Sequence, residues 1–115
     1  MIDFACKRFK LDEVIKCGLS LTKAEYKVFE EFVQEHLEEV TTDELVEKTG
    51  LDITTIQRAV KKLHENNILL RKQINLEGGG YTYIYSVKPK KELRKTILNI
   101  IHNWVHTVDE ALQKW

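Results

Sequence analysis

The sequence predicts one mainly α-helical domain that carries a small β-hairpin and ends in a long helix. Three observations lead to this prediction. Helix caps precede apolar stripes of helical spacing, a glycine cluster interrupts the alternating segment "ILLRKQINLEGGGYTYIYSV", and the single proline precedes a last amphipathic stretch. Of the 115 residues, 43% are hydrophobic and 31% are charged, a composition that is typical of one globular domain and excludes a disordered or fibrous chain.

The first two helices are predicted from apolar spacing and caps. Within an N-terminal extension of residues 1–20, the segment "LDEVIKC" has a short apolar face that Gly18 ends. The second helix begins after Thr22, which forms a Thr-x-x-Glu capping box with Glu25, and Leu21 precedes it as a staple residue. Its apolar stripe consists of Ala24, Val28, Phe29, Phe32 and Val33.

Two further helices around Gly50 predict a helix-turn-helix. The shorter one has a threonine cap and ends at Gly50, and the longer one spans residues 53–66 with Asp52 or Thr54 as its cap. Two helices joined by a tight turn that contains glycine form this motif when their apolar faces meet. The shared junction would contain Leu45, Val46, Leu51, Ile53, Ile56, Val60 and Leu63.

The other face of helix 53–66 is polar and basic. At ~100° per residue, Arg58 points almost opposite the apolar stripe. This leaves a polar, donor-rich face of the kind that a major groove accepts, which consists of Thr54, Thr55, Gln57, Arg58, Lys61 and Lys62. Lys61 and Lys62 suit phosphate, while Gln57 and Arg58 can make bidentate contacts to base edges. The alternative for such a face is an ordinary solvated helix surface.

Charge is unevenly distributed along the chain, although the formal net charge is zero. Residues 21–50 include three basic and nine acidic side chains, whereas residues 51–76 include five basic and two acidic ones. This separation predicts one surface that meets phosphate and another that stays away from it.

The hairpin is predicted over residues 68–88, with a glycine-rich tip. A loop of two or four residues at the tip would pair Leu76 with Tyr81, Ile74 with Tyr83, Lys72 with Tyr85 and Leu70 with Val87. That face should pack on the helices, and the opposite, wetter face should carry Arg71 and Gln73. The Tyr81 hydroxyl, near the glycine tip, is expected to reach a phosphate of a nucleic-acid backbone.

The last helix, residues 90–115, has an apolar stripe wider than one small domain needs to cover its core. We therefore expect residues 1–89 to form the DNA-binding domain and residues 90–115 to form a dimerisation helix within the same compact unit. One edge of the stripe would pack on its own domain and another would meet a second copy. The predicted dimer interface consists of Ile97, Ile101, Trp104, Val105, Val108 and Leu112.

These elements follow the order of a winged helix-turn-helix. The segments "GLSLTKAEYKVFEEF", "TTDELVEKTGLDITTIQRAVKKLHENNIL" and "YTYIYSVKPKKEL" resemble the DNA-binding regions of archaeal TrmB-type and MarR-type transcription regulators. The resemblance covers residues 18–93. It implies a homodimer that sets two copies of helix 53–66 into successive major grooves of double-stranded DNA, with the hairpin as a wing on the flanking backbone. The resemblance also implies which residues contact DNA, namely Thr54, Thr55, Gln57, Arg58, Lys61 and Lys62 on the helix and Arg71, Gln73 and Gly79 on the wing. It does not identify a small-molecule effector.

Two other functions stay open. One is a winged-helix module that binds protein in the transcription machinery or another complex. The other is a thiol- or metal-responsive regulator that uses Cys6 and Cys17, with His102 and His106 four residues apart as further ligands. We expect neither enzyme activity nor a cofactor, since the glycines of "EGGGY" do not lead from a strand into a helix as a phosphate loop does.

The sequence also bears on localisation. No apolar run approaches the ~20 residues that a membrane-spanning helix needs. The N-terminus "MIDFACKRFK" does not contain the long apolar stretch of a secretion signal. We therefore expect a cytoplasmic protein with no membrane contact.

Overall fold

The computed structural model describes residues 2–4 and 7–115, which form a mostly helical protein with two small antiparallel hairpins and a long last helix. In chain order the elements are β1 (Ile2–Phe4), β2 (Lys7–Phe9), α1 (Leu11–Gly18), α2 (Lys23–Glu35), α3 (Thr42–Thr49), α4 (Ile53–Glu65), β3 (Leu69–Asn75), β4 (Tyr81–Val87) and α5 (Lys90–Gln113). The five predicted helices and the hairpin of residues 68–88 are confirmed. The hairpin of β1 and β2 was not predicted, because each strand has only three residues and no clear alternation.

Side-chain caps set the starts of the central helices. Thr22 Oγ1 accepts the backbone N–H of Glu25 at 3.1 Å, and Glu25 Oε1 accepts the backbone N–H of Thr22 at 2.8 Å, which is the predicted capping box. Thr41 caps α3, and Asp52 caps α4. Gly50 ends α3 with a φ of 73°, in the left-handed region that glycine adopts without a steric penalty.

The core lies between α2, α3, α4 and the base of the β3–β4 hairpin. Its fully buried large side chains include Val28, Phe32, Leu45, Ile56, Leu63, Ile68 and Leu69. The predicted helix-turn-helix junction is confirmed except at Ile53, which is 39% exposed. Ile53 is the first residue of α4, so its side chain lies beyond the turns that α2 and α3 cover.

A third short stretch of chain joins the base of the β3–β4 hairpin. The Val40 N–H donates to the Tyr85 carbonyl at 3.0 Å, and the Tyr85 N–H donates to the Val40 carbonyl at 2.8 Å. The Val87 N–H also donates to the Leu37 carbonyl at 3.0 Å. These bonds fix the base of the hairpin to the α2–α3 connection, while every residue from 70 to 81 is exposed.

The predicted register of this hairpin is wrong by one residue. Asn75 pairs with Tyr81, Gln73 with Tyr83, Arg71 with Tyr85 and Leu69 with Val87. Five residues, 76–80, therefore connect the strands, with positive φ at Gly79 and Gly80. Because an odd loop shifts the pairing by one residue, Arg71 and Gln73 lie on the same face as the tyrosines, not on the opposite face.

The last helix, α5, has 24 residues, begins at Lys90 as predicted, ends two residues before the predicted residue 115, and projects from the rest of the protein. Leu93 is buried and Ile100 packs against the core, but every residue from 102 to 115 is exposed. The molecule accordingly measures 59 × 26 × 26 Å. Over the described ranges, no helix combines the length and the apolar character that crossing a bilayer requires.

Candidate nucleic-acid interface

The exposed side of α4 presents polar and basic side chains. Thr54, Gln57, Arg58 and Lys61 are exposed and Thr55 is half-buried. They share this side because the buried residues of α4, from Ile56 to Leu63, recur at helical spacing and hold the opposite side against the core. The structure thus brings five of the six predicted contacts of this helix onto one accessible surface.

The cap of α4 contributes a negative charge at one end of this surface. The Asp52 carboxylate accepts the backbone N–H of Thr55 at 3.3 Å. Hydrogen bonding to Thr55 holds the pKa of Asp52 below its usual value, and the charge of Arg58 lowers it further. Asp52 is therefore ionised at neutral pH, where it stabilises the start of α4 and attracts the Arg58 guanidinium.

Lys62, the sixth predicted contact of α4, has a different role. Its Nζ lies 2.7 Å from Glu25 Oε1 and donates to the Ser20 carbonyl at 3.0 Å. The Glu25 side chain is 4% exposed and that of Lys62 is 37% exposed. These contacts favour a structural role for Lys62 over the predicted phosphate contact, because its ammonium neutralises a buried carboxylate.

Acid is expected to destabilise the folded protein by protonating Glu25. Burial raises the pKa of Glu25, but hydrogen bonds from Lys62 and Thr22 outweigh it and hold the pKa below the ordinary value of 4.5. A carboxyl group with a lowered pKa stabilises the folded state above its unfolded pKa, and this contribution is lost as pH falls through the folded pKa. We expect the free energy of unfolding to decrease below pH 4.5 in part through this group.

Urea denaturation of the wild type and Glu25→Gln at about pH 7 and about pH 3.5 tests this expectation. The stability difference between the two proteins should shrink in acid. Glu35→Gln, at an exposed position of the same helix, is the matched control. An equal difference at both pH values would show that the charge of Glu25 does not contribute.

The wing formed by β3 and β4 carries an aromatic face with an arginine on it. The Arg71 guanidinium carbon lies 4.3 Å from the centre of the Tyr83 ring, and Tyr81 meets Tyr83 edge-on at 5.3 Å between ring centres. A guanidinium over an aromatic ring is stabilised by the cation–π interaction. Arg71, Gln73 and Tyr81 are exposed, as is Gly79 at the tip. The wing residues predicted to contact DNA thus lie on one face or at its end.

A cleft of about 250 Å³ lies between α4 and this face of the wing. It is lined by Thr42, Gln57, Val60, Tyr81, Thr82, Tyr83 and Tyr85. Gln57 forms the α4 side and Tyr81 forms the wing side. The polar side of α4 and the aromatic face of the wing are therefore two parts of one continuous surface.

Positive charge continues from the wing to the start of α5. Burial lowers the pKa of His64, and the nearby charges of Arg71 and Lys88 lower it further. Sequence reasoning did not include Lys88 among the predicted contacts. Its signal was its place at the end of the wing, before Pro89, in a segment that was interpreted only as the start of a helix.

Only part of the predicted thiol or metal site lies within the described residues. Cys17 is exposed, and Cys6 lies outside the described residues. His106 Nε2 lies 3.2 Å from Glu110 Oε1 on the exposed half of α5. Within residues 2–4 and 7–115, no group of three or more histidine, cysteine or acidic side chains is arranged to hold a metal ion.

A helix-turn-helix with a paired hairpin beside its second helix defines a winged-helix-like protein. More specifically, this chain belongs to the DnaD N-terminal domain family, whose sequence profile matches residues 9–108. The comparisons support a winged-helix protein without singling out the TrmB-type or MarR-type families.

Four archaeal proteins illustrate the similarity. A possible transcriptional regulator from Methanosarcina mazei Go1 is 48% identical, with a TM-score of 0.87 over 100% of this chain and 96% of that one. The ST1889 protein of Sulfolobus tokodaii shares the fold, with a TM-score of 0.63 and 22% identity over 84% of this chain and 92% of that one. Two uncharacterized proteins of Methanocaldococcus jannaschii, MJ1503 and MJ1082, are each 26% identical and align with 96% and 95% of this chain and with 79% and 85% of their own lengths.

Proposed function

We propose that this protein is a transcription regulator that binds double-stranded DNA as a homodimer. The proposal is carried by one observation, the continuous exposed surface formed by the polar side of α4 and the aromatic face of the wing. The similar Methanosarcina mazei protein, described as a possible transcriptional regulator, supports the same reading. The proposed role is binding, not catalysis.

In the proposed complex, α4 of each protomer lies in a major groove. Arg58 and Gln57 carry the side chains that can make bidentate hydrogen bonds to guanine and adenine edges. Lys61 supplies a point charge for phosphate. This docking mode is the one implied by the resemblance to TrmB-type and MarR-type regulators.

The wing contacts the backbone beside that groove. Arg71 is aligned along the tyrosine face by Tyr83, so little side-chain freedom is lost when it meets a phosphate. The Tyr81 hydroxyl is exposed at the end of β4, next to the glycine tip. Half or more of the hydrogen bonds between proteins and DNA go to phosphate and sugar, and these bonds set the register of the protein on the duplex.

The basic residues of α4 and the wing lie on the proposed DNA-binding surface. Arg58, Lys61 and Arg71 are exposed there, and the phosphates of DNA attract them. The surface between α1 and α2 carries four lysines and four carboxylates, so neither charge is in excess there. The zero net charge is therefore compatible with binding.

Fluorescence anisotropy with labelled duplexes from the organism's own genome, titrated at several salt concentrations, tests the proposal. If Lys61 and Arg71 of both protomers each neutralise one phosphate, the slope of log K against log salt is about −3.6, and affinity falls roughly 100-fold between about 50 and 200 mM salt. Absence of binding at the lowest salt would contradict DNA binding. Binding of a protein partner that survives Arg58→Ala would then favour the protein-interaction alternative.

A further inference from the structure

The second half of α5 carries large apolar side chains that nothing in the described chain covers. Trp104 is 60% exposed, Leu112 is 57% exposed and Trp115 is 99% exposed. Spacings of four and three residues alternate along Ile97, Ile101, Trp104, Val108, Ala111 and Trp115. This repeat is typical of the seam of a coiled coil, in which a second helix covers the stripe.

An apolar groove of about 890 Å³ lies beside the first half of the same helix. Leu11, Val14 and Ile15 form one wall from α1, Tyr26 and Val33 contribute from α2, and Ile97 belongs to α5. Each protomer thus has an apolar groove next to the start of α5 and an exposed apolar stripe at its end.

The stripe cannot fill the groove of its own chain. The helix runs without a break from Lys90 to Gln113, and its only proline precedes the first residue. A continuous helix rises 1.5 Å per residue in one direction, so the stripe extends away from the groove. The stripe of a second copy can reach the groove, whereas the stripe of the same chain cannot.

We propose that two copies pair their α5 helices antiparallel, so that the second half of each α5 lies in the groove of the other copy. This inference rests on the proposed homodimer and specifies its geometry. With the two-fold axis between His102 and Asn103, Ile101 faces the partner's Trp104 and Ile97 faces the partner's Val108. A parallel pair would leave both grooves empty.

Charge favours the same orientation. The groove ends in Lys90, Lys91 and Arg94, which lie on the side of α5 that carries the apolar stripe. In the antiparallel pair these cations lie near the C-terminal end of the partner helix, which carries a partial negative charge, and near its Asp109, while its Lys114, level with Lys91, offsets part of this attraction. The small side chain of the partner's Ala111 faces Arg94 and leaves room for it. Parallel pairing would instead place the three cations of one copy against those of the other.

The available apolar surface is large enough for a stable dimer. A fully exposed tryptophan offers roughly 150–250 Å², so Trp104 and Trp115 together offer roughly 250–400 Å² at their observed exposure. A standard interface buries about 800 Å² per partner. The two tryptophans therefore supply a third to a half of that area, and the groove and the other apolar residues of α5 supply the rest.

Spin-label distances distinguish the two orientations. In a background with Cys6→Ser and Cys17→Ser, a label at Gln113→Cys should lie about 30 Å from its equivalent in the antiparallel dimer and about 10 Å from it in a parallel one. A label at Asn103→Cys, level with the two-fold axis, should give nearly the same distance in either dimer and is the control for dimer formation. A short distance at position 113 would overturn the proposed geometry.

Two variants test the helix and the groove separately. Trp104→Glu should weaken dimerisation about 30-fold or more in sedimentation, whereas Asn103→Glu, on the outer side of the same turn, should not. Leu11→Glu should weaken it about 10-fold, because Leu11 lines the groove. Leu70→Glu is its control, since Leu70 lies on the wing and is 57% exposed, close to the 58% of Leu11. An unchanged dimer with Leu11→Glu would overturn the groove as the docking site.

The outcomes separate this inference from the proposed function. A wild type that stays monomeric at about 100 µM overturns both the homodimer and its geometry, since a standard interface commonly supports far tighter association. A dimer with the long distance at position 113 supports the inference even if no DNA binds, and in that case the regulator proposal alone fails. Circular dichroism of each variant confirms that helix content is retained.

Discussion

Replacing Arg58 with alanine is expected to weaken specific DNA binding at least about 10-fold and to reduce discrimination between base sequences. Arg58 is exposed in the middle of α4, opposite the buried side, where a major groove would receive it. Loss of a bidentate contact to a base removes about 1–3 kcal/mol of discrimination. Anisotropy titrations against the preferred duplex and a scrambled duplex measure both effects.

Two variants make this test specific to the guanidinium. Arg58→Lys keeps the positive charge but not the planar pair of donors, so it should restore nonspecific affinity without restoring sequence discrimination. Lys27→Ala, on the α1 side of α2, removes a positive charge away from the proposed interface and should change neither. If Arg58→Ala binds each duplex as tightly as Lys27→Ala does, α4 does not read DNA.

Replacing Lys62 with methionine is expected to lower the free energy of unfolding by about 1–3 kcal/mol. The substitution leaves the Glu25 carboxylate, which is 4% exposed, without its charged partner at 2.7 Å. The effect is smaller than for a fully buried pair, because Lys62 is 37% exposed and solvent screens part of its charge. The thermal midpoint should fall by about 4 °C or more.

The neighbouring residue is the control for this prediction. Lys61 is exposed, so Lys61→Met should change stability by less than about 0.5 kcal/mol while lowering DNA affinity and its dependence on salt. Lys62→Met should retain both binding properties at temperatures where the protein is folded. The reverse pattern, with stability loss at Lys61 and binding loss at Lys62, would refute the assignment of the two lysines.

Sequence reasoning predicted the helices well because their signals are local. The capping box of Thr22 and Glu25, the cap at Asp52 and the glycine that ends α3 each act within one turn of chain. The length of α5 followed from Pro89 and a long stripe in the same way. The family was assigned less well, since this order of elements is shared by more families than the two that it resembles.

The register of the β3–β4 hairpin could not be predicted from local sequence alone. Glycines at 78–80 correctly indicated the turn, but loops of two, four and five residues fit that cluster equally well. The observed five-residue loop follows from positive φ at Gly79 and Gly80 and from the pairing of Tyr85 with Val40, which is distant in sequence. That one-residue difference moved Arg71 and Gln73 onto the tyrosine face.

By itself the sequence determined the helices, their caps and which side of α4 is apolar, because each depends on residues within about one or two turns of one another. Only the tertiary structure decided which basic side chains are free. Lys61 and Lys62 are adjacent and chemically identical, and the difference between them comes from Glu25, 37 residues earlier in the chain. Whether a basic side chain can contact a ligand depends on which residue packs next to it. For Lys62 that residue is Glu25, which the packing of α2 against α4 brings close.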